Sequence, residues 1–282
     1  MKTIHQDLRK IRKIWRQRVE RLQRRAKAGS IWLIISLLLL GSSEAVERFP
    51  AGSRSITVAA ASGLQFAFAE IGTLFEEEIG GKVVFTFGST GNLARQIENG
   101  APIDIFAAAN LDFVEDMISK GLLIAESQQL YALGRIVLAS NRQAGLQLST
   151  LKDLLRPEVK RVAIANPQHA PYGMAANQAL ESAGIWNSLK PKLVYGQNVR
   201  QTLQYIQTGN VEAGIVALSI ADVPEITYTW IDDQLHRPLK QVLAVVKGTK
   251  IKDLAQKFIT FITGPNGRPI MKRYGFLLPG EF

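Results

Sequence analysis

The chain has no cysteine in its 282 residues. That absence excludes disulfides, thiolate metal sites, a cysteine nucleophile and a lipid-modified cysteine. Three histidines are present, His5, His169 and His236, and they are too scattered in sequence to suggest a metal site. No acid–base pair, nucleophile arrangement or metal-ligand spacing is evident, so the expectation is a protein that is not an enzyme and needs no cofactor. No internal repeat or low-complexity linker is evident either. The apolar run at residues 31–40 falls short of the about 20 residues that a membrane span requires.

Charge of one sign is scarce where a nucleic-acid binder would need it. The net charge is +10. Residues 1–45 hold eleven Lys or Arg and three Asp or Glu, whereas residues 46–282 hold twenty-three and twenty-one. The basicity belongs to the leader, and the nearly neutral body argues against nucleic acid as a partner. The leader itself has a plan: a basic stretch over residues 2–27, the apolar run at 31–40, then Gly41-Ser42-Ser43-Glu44-Ala45. This is the order of a secretory signal, with cleavage after Ala45. The alternative is an uncleaved leader that anchors the protein to the membrane. Arg24-Arg25 matches only a fragment of a twin-arginine signal.

The body alternates strand and helix. Strands are expected at residues 55–60, 82–87, 103–108, 135–139, 161–165, 192–195, 213–217 and 241–247. Helical stripes fill 63–78, 92–98, 110–120, 151–155, 173–183, 199–208, 251–263 and 269–274. The pattern predicts an α/β fold of mostly parallel sheets flanked by helices, with ligands at the carboxyl ends of the strands.

Four loops sit at such ends: Ala60-Ala61-Ser62-Gly63, Gly88-Ser89-Thr90-Gly91-Asn92, His169-Ala170-Pro171-Tyr172-Gly173 and Gln197-Asn198-Val199-Arg200. Each offers backbone N–H groups at a helix start, where donors lack intrahelical acceptors and the helix dipole is positive. None contains Asp or Glu. Together they read as a receptor for a small, deprotonated oxyanion. Each side chain also has a plainer role: Ser62 as a helix N-cap, Tyr172 as packing over the cleft. Arg200 is expected to support its loop, Asp104 to bond backbone donors of a nearby turn, and His169 to be structural.

Several segments resemble the periplasmic molybdate-binding proteins of ABC importers. They are Val58-Ala59-Ala60-Ala61-Ser62, Phe87 through Ile97 (FGSTGNLARQI), Gly100 through Phe106 (GAPIDIF), Asn166 through Gly173 (NPQHAPYG), Gly214-Ile215-Val216 and Lys272 through Phe276 (KRYGF). The similarity covers roughly residues 54–278. It implies a two-lobed periplasmic binding protein fold of the class II type, with the ligand in the inter-lobe cleft. Lobe I is expected over 54–132 and 242–282, lobe II over 133–241, with connections at 131–133 and near 239–243. By position, the resemblance implies that molybdate or tungstate is held by Ser62, Thr90, the backbone donor at Tyr172 and the N–H of Val199, with Ser89 an additional candidate. Some members carry a tyrosine after Gly-Ile-Val; this chain has Ala217 there, and Tyr172 is a candidate to supply the phenol instead. The implied partner is a membrane ABC permease, the compartment a periplasm and the state a monomer. Two alternatives stay open: a receptor for another tetrahedral oxyanion such as sulfate, and an enzyme or sensor on the same fold. Mass spectrometry of the exported chain is expected to find an N-terminus at or close to Val46; an intact Met1 form held in the membrane would support the anchor instead.

Overall fold

The computed structural model describes residues 55–282; the leader read over residues 1–45 lies outside them. In chain order, β1 (Ser55–Ala61) runs through a 3-10 turn (Ser62–Leu64) into α1 (Gln65–Ile79). Then come β2 (Lys82–Gly88), α2 (Thr90–Glu98), β3 (Ile105–Ala108), α3 (Leu111–Ser119) and β4 (Gln129–Gly134). β5 (Ile136–Asn141), β6 (Val162–Ala165), α4 (Pro171–Ser182), α5 (Trp186–Leu189), β7 (Leu193–Gly196), α6 (Val199–Gln207), β8 (Ala213–Ala217) and β9 (Ile226–Trp230) follow. β10 (Leu239–Val245), α7 (Lys252–Thr263) and α8 (Gly267–Arg273) complete the body.

The strands form two five-stranded mixed sheets, ordered β2-β1-β3-β10-β4 and β7-β6-β8-β5-β9. The two orders correspond position by position. Three parallel strands make one side of each sheet, and an antiparallel strand follows them. This is a two-lobed α/β fold, one sheet per lobe.

The sheets bury both faces, and the side-chain period of two sorts residues between them. In β1, Ile56, Val58 and Ala60 enter one apolar cluster, while Ala59 enters another with Leu93, Phe106, Val114 and Met117. β3 divides likewise: Ile105 and Ala107 on one side, Phe106 and Ala108 on the other. This explains the near-continuous apolar runs of the central strands.

Of the two segments read as connections, 131–133 is strand, and the one near 239–243 belongs to the strand expected at 241–247, which begins at Leu239. Gln129–Gly134 and Leu239–Val245 pair antiparallel with each other, with Leu239 opposite Gly134. The chain passes between the sheets at Arg135 and again over residues 231–238. β4 and β10 find each other across about a hundred residues, a pairing that no local pattern announces. At the first crossing the Arg135 guanidinium donates to the Gly275 carbonyl at 2.9 and 3.1 Å and lies 4.6 Å over the Trp230 ring. The second helix begins at Thr90 rather than 92, because Ser89 is extended (ψ 144°) and Thr90 is already helical.

The first lobe is packed by rings. Phe258 of α7 meets Phe75 of α1 edge-on at 5.0 Å, and Phe68 at 6.4 Å. All three are fully buried. Phe258→Ala is expected to cost about 3–5 kcal/mol of stability through lost transfer energy and the cavity left behind; a denaturant midpoint unchanged from wild type would contradict this packing.

Candidate functional site

Each of the four loops follows the carboxyl end of a parallel strand. β1 and β2 are neighbours, so the turn at Ser62 and the start of α2 lie side by side. β6 and β7 are neighbours too, which sets the starts of α4 and α6 together in the second lobe. The two pairs then meet across the seam between the lobes. The Gly91 N–H of α2 donates to the His169 carbonyl before α4 at 2.9 Å. A Cβ on Gly63 would fall 2.8 Å from the Tyr172 ring, so glycine permits the close approach of the Ser62 turn to α4. Ser219 Oγ donates to the Gly63 carbonyl at 2.6 Å. The Arg200 guanidinium of α6 lies 5.4 Å over the Phe66 ring of α1. The lobes are therefore closed.

The expected residues sit on this seam, and all are buried. Ser62 is the first residue of the 3-10 turn, whose cap is Ala61, and it is 3% exposed. It does not act as the helix N-cap. Thr90 is fully buried at the first position of α2, and its Oγ1 accepts from the Ala109 N–H at 3.1 Å. That bond occupies a lone pair and leaves the hydroxyl proton to be donated elsewhere. Val199 is the first residue of α6, where a backbone N–H has no intrahelical acceptor. Asn198 caps this helix, accepting from the Arg200 and Gln201 N–H groups at 3.0 Å each. Tyr172 is the second residue of α4, again at a position whose N–H lacks an acceptor within the helix.

The Tyr172 phenol lies between the Ser62 turn and β4; a Cβ on Gly63 would fall 3.2 Å from its hydroxyl oxygen. Its hydroxyl is buried without a hydrogen-bond partner, packed where a side chain on Gly134 would be. Burial pushes its pKa up, against a smaller lowering by the nearby Ser219 hydroxyl. Tyr131 is buried too, its hydroxyl likewise without a partner, and its pKa rises well above the usual range through burial and then the charge of Tyr172.

No acidic residue occupies the first turn of the Ser62 turn, α2, α4 or α6. Away from the seam the usual preference returns, with Asp112 in the first turn of α3 and Asp253 in that of α7. Asp104 accepts from the Thr57 N–H at 2.8 Å and from the Thr249 hydroxyl at 2.5 Å, a structural role. Arg200 also donates to Gln207 at 2.8 Å, which holds it along α6. His169 has its pKa lowered, first by burial and then by the charge of Arg95. The His236 ring meets the Arg237 carbonyl at 2.8 Å. Among the described residues no group of three or more His, Cys, Asp or Glu is placed to hold a metal ion. What this arrangement offers is a ring of neutral donors for an anion, drawn from both lobes.

Ser219 was not legible as a participant in the seam, and for Ser89, an expected candidate, the contact with His169 was not. Ser219 follows β8 in a 3-10 turn with no motif around it, and it reaches a carbonyl 156 residues away. Ser89 caps α2 by position, yet its Oγ makes no capping bond and lies 2.8 Å from His169 Nδ1 of the other lobe.

Known proteins share this architecture. The family of bacterial extracellular solute-binding proteins matches residues 56–277. The molybdate-binding protein ModA of Rhodobacter capsulatus is 32% identical over 255 residues, 90% of this chain and 96% of its own length. ModA of Azotobacter vinelandii is 34% identical, covering 80% of this chain and 91% of its own. The solved structure of the Azotobacter vinelandii periplasmic molybdate-binding protein superposes with a TM-score of 0.75 at 30% identity, over 79% of this chain and 99% of that one. With a family match across nearly all of the described residues, this chain belongs to the bacterial extracellular solute-binding proteins, the family it shares with these molybdate-binding relatives.

Proposed function

We propose that this protein captures molybdate or tungstate between its lobes and delivers the anion to a membrane ABC permease. One observation carries the reading: four helix starts free of acidic residues, two from each lobe, meet at one buried seam. Ser62 and Thr90 donate through their hydroxyls, Tyr172 and Val199 through their backbone N–H groups, and Ser89 is an additional donor. The buried Tyr172 hydroxyl, beside Gly63 and without a hydrogen-bond partner, remains the candidate for the phenol that some relatives carry at the position of Ala217. Closure is a population shift, because the anion reaches donors of both lobes only when they meet.

The ligand is a dianion without a proton. Hydrogen phosphate keeps a proton at neutral pH, and a site selecting it gains from a carboxylate that accepts that proton. The seam loops contain none. Sulfate, molybdate and tungstate carry the same charge, so cavity size separates them; the ModA relatives, named for molybdate, support the larger pair.

The rest of the proposal extends the sequence reading. The leader is removed after Ala45 on export, leaving a monomeric binding protein in the periplasm with no catalytic activity and no nucleic-acid partner. Among the described residues no helix is long and apolar enough to cross a membrane. The lobe bounds expected at 132/133 and 241/242 shift to the crossings at Arg135 and 231–238, since β4 and β10 both belong to the first lobe's sheet.

Calorimetry with an oxyanion panel tests the ligand. Tight binding of molybdate and tungstate, much weaker binding of sulfate and negligible binding of phosphate are expected; preference for sulfate or phosphate would overturn the assignment. The residues are tested by substitution. A hydrogen bond to a charged group contributes about 1.5–3 kcal/mol. Ser62→Ala and Thr90→Ala are therefore each expected to weaken molybdate binding by about tenfold or more. Wild-type affinity in the double variant would move the site elsewhere.

A further inference from the structure

A serine at a helix N-cap ordinarily accepts from the N–H two or three residues on. Ser89 holds that place at α2, with extended backbone, yet its side chain makes no capping bond. Both ends of the missing interaction go to one residue of the other lobe. The Gly91 N–H, at the second position of α2, donates to the His169 carbonyl at 2.9 Å. Ser89 Oγ lies 2.8 Å from His169 Nδ1. His169 thus caps α2 across the seam. Glycine at 91 is what lets it approach: a Cβ there would sit 2.9 Å from the His169 carbonyl oxygen and 3.1 Å from Phe113.

We propose that His169 is a cross-lobe positioning residue that relieves Ser89 of capping α2 when the lobes close and thereby slows escape of the bound anion. When the lobes part, the Gly91 donor loses its acceptor and Ser89 Oγ returns to cap its own helix. The exchange is a latch built from two hydrogen bonds, and both belong to the closed form. The tautomer of His169 decides what Ser89 offers the anion: a ring that donates through Nδ1–H leaves the serine its own proton for the ligand, and a ring nitrogen that accepts takes that proton away. Arg95, one turn along α2, is the cation that bears on the ring; its guanidinium is bonded to Asn92.

This inference rests on the reading of the seam as a molybdate site. A latch formed after the anion has entered acts on dissociation and leaves association nearly untouched. The experiment is stopped-flow binding of sodium molybdate to the full chain and to His169→Ala and His169→Asn variants. Losing one neutral hydrogen bond is expected to raise the dissociation rate of His169→Ala about fivefold, with the association rate within about twofold of wild type. Asn places an amide where ring Nδ1 lies, so His169→Asn is expected to recover most of the wild-type dissociation rate. The thermal midpoint of the ligand-free protein is expected to be the same in all three, because the open form lacks the latch. Unchanged dissociation in His169→Ala overturns the proposal. So does His169→Asn behaving like His169→Ala, or a loss that falls on association. Failure of the wild-type protein to bind molybdate is a different result and would overturn the ligand assignment itself.

Discussion

The constraint on which the structure depends is the unsatisfied backbone at buried helix starts. A helix leaves its first N–H groups without intrahelical acceptors, and a buried donor without a partner is costly. Here four such starts are buried together at the lobe seam. Some of their donors are satisfied within the protein: Gly91 by the His169 carbonyl, Arg200 and Gln201 by Asn198. Thr90 and Val199 open their helices, and Tyr172 is second in its own. In the proposed function an anion supplies acceptors for donors at those positions, and aligned dipoles rather than a cation balance its charge.

The fold is arranged to make that convergence possible. Parallel neighbours β1–β2 and β6–β7 bring two helix starts together in each lobe, and the corresponding strand orders place both pairs at the same end of their sheets. The two chain crossings then couple the lobes. β4 and β10 pair in one sheet while the chain between them builds the other, so both crossings lie close together at the base of the cleft. Arg135, held on the Gly275 carbonyl and stacked over Trp230, marks one of them. Small residues set the fit at the seam. Gly63 admits the Tyr172 ring, and Gly91 admits His169.

Charge placement follows the same logic. Acidic residues favour helix N-termini, and this chain uses them at α3 and α7. They are missing from the four starts at the seam, where a carboxylate would repel the ligand. Arg95 and Arg200 are nearby, but each is tied to its own helix, Arg95 to Asn92 and Arg200 to Gln207.

Much of this was legible in order along the chain. Apolar runs of four to seven residues followed by helical stripes specify the α/β alternation, because a strand buried on both faces needs no polar alternation and a helix packed on it needs a stripe. The acid-free loops with Ser62, Thr90, Tyr172 and Val199 were visible for the same local reason: each is a strand end next to a helix start. What the tertiary structure alone decided is who meets whom. The strand at 241–247 is legible as an apolar run, whereas β4 is read as a connection, and the pairing of β4 with β10 is decided only in space because their ends lie about a hundred residues apart. The Ser89–His169 and Ser219–Gly63 bonds span 80 and 156 residues, and no window of sequence contains both ends. Local pattern determines which backbone donors are left over; only the closing of two lobes determines which of them face one another.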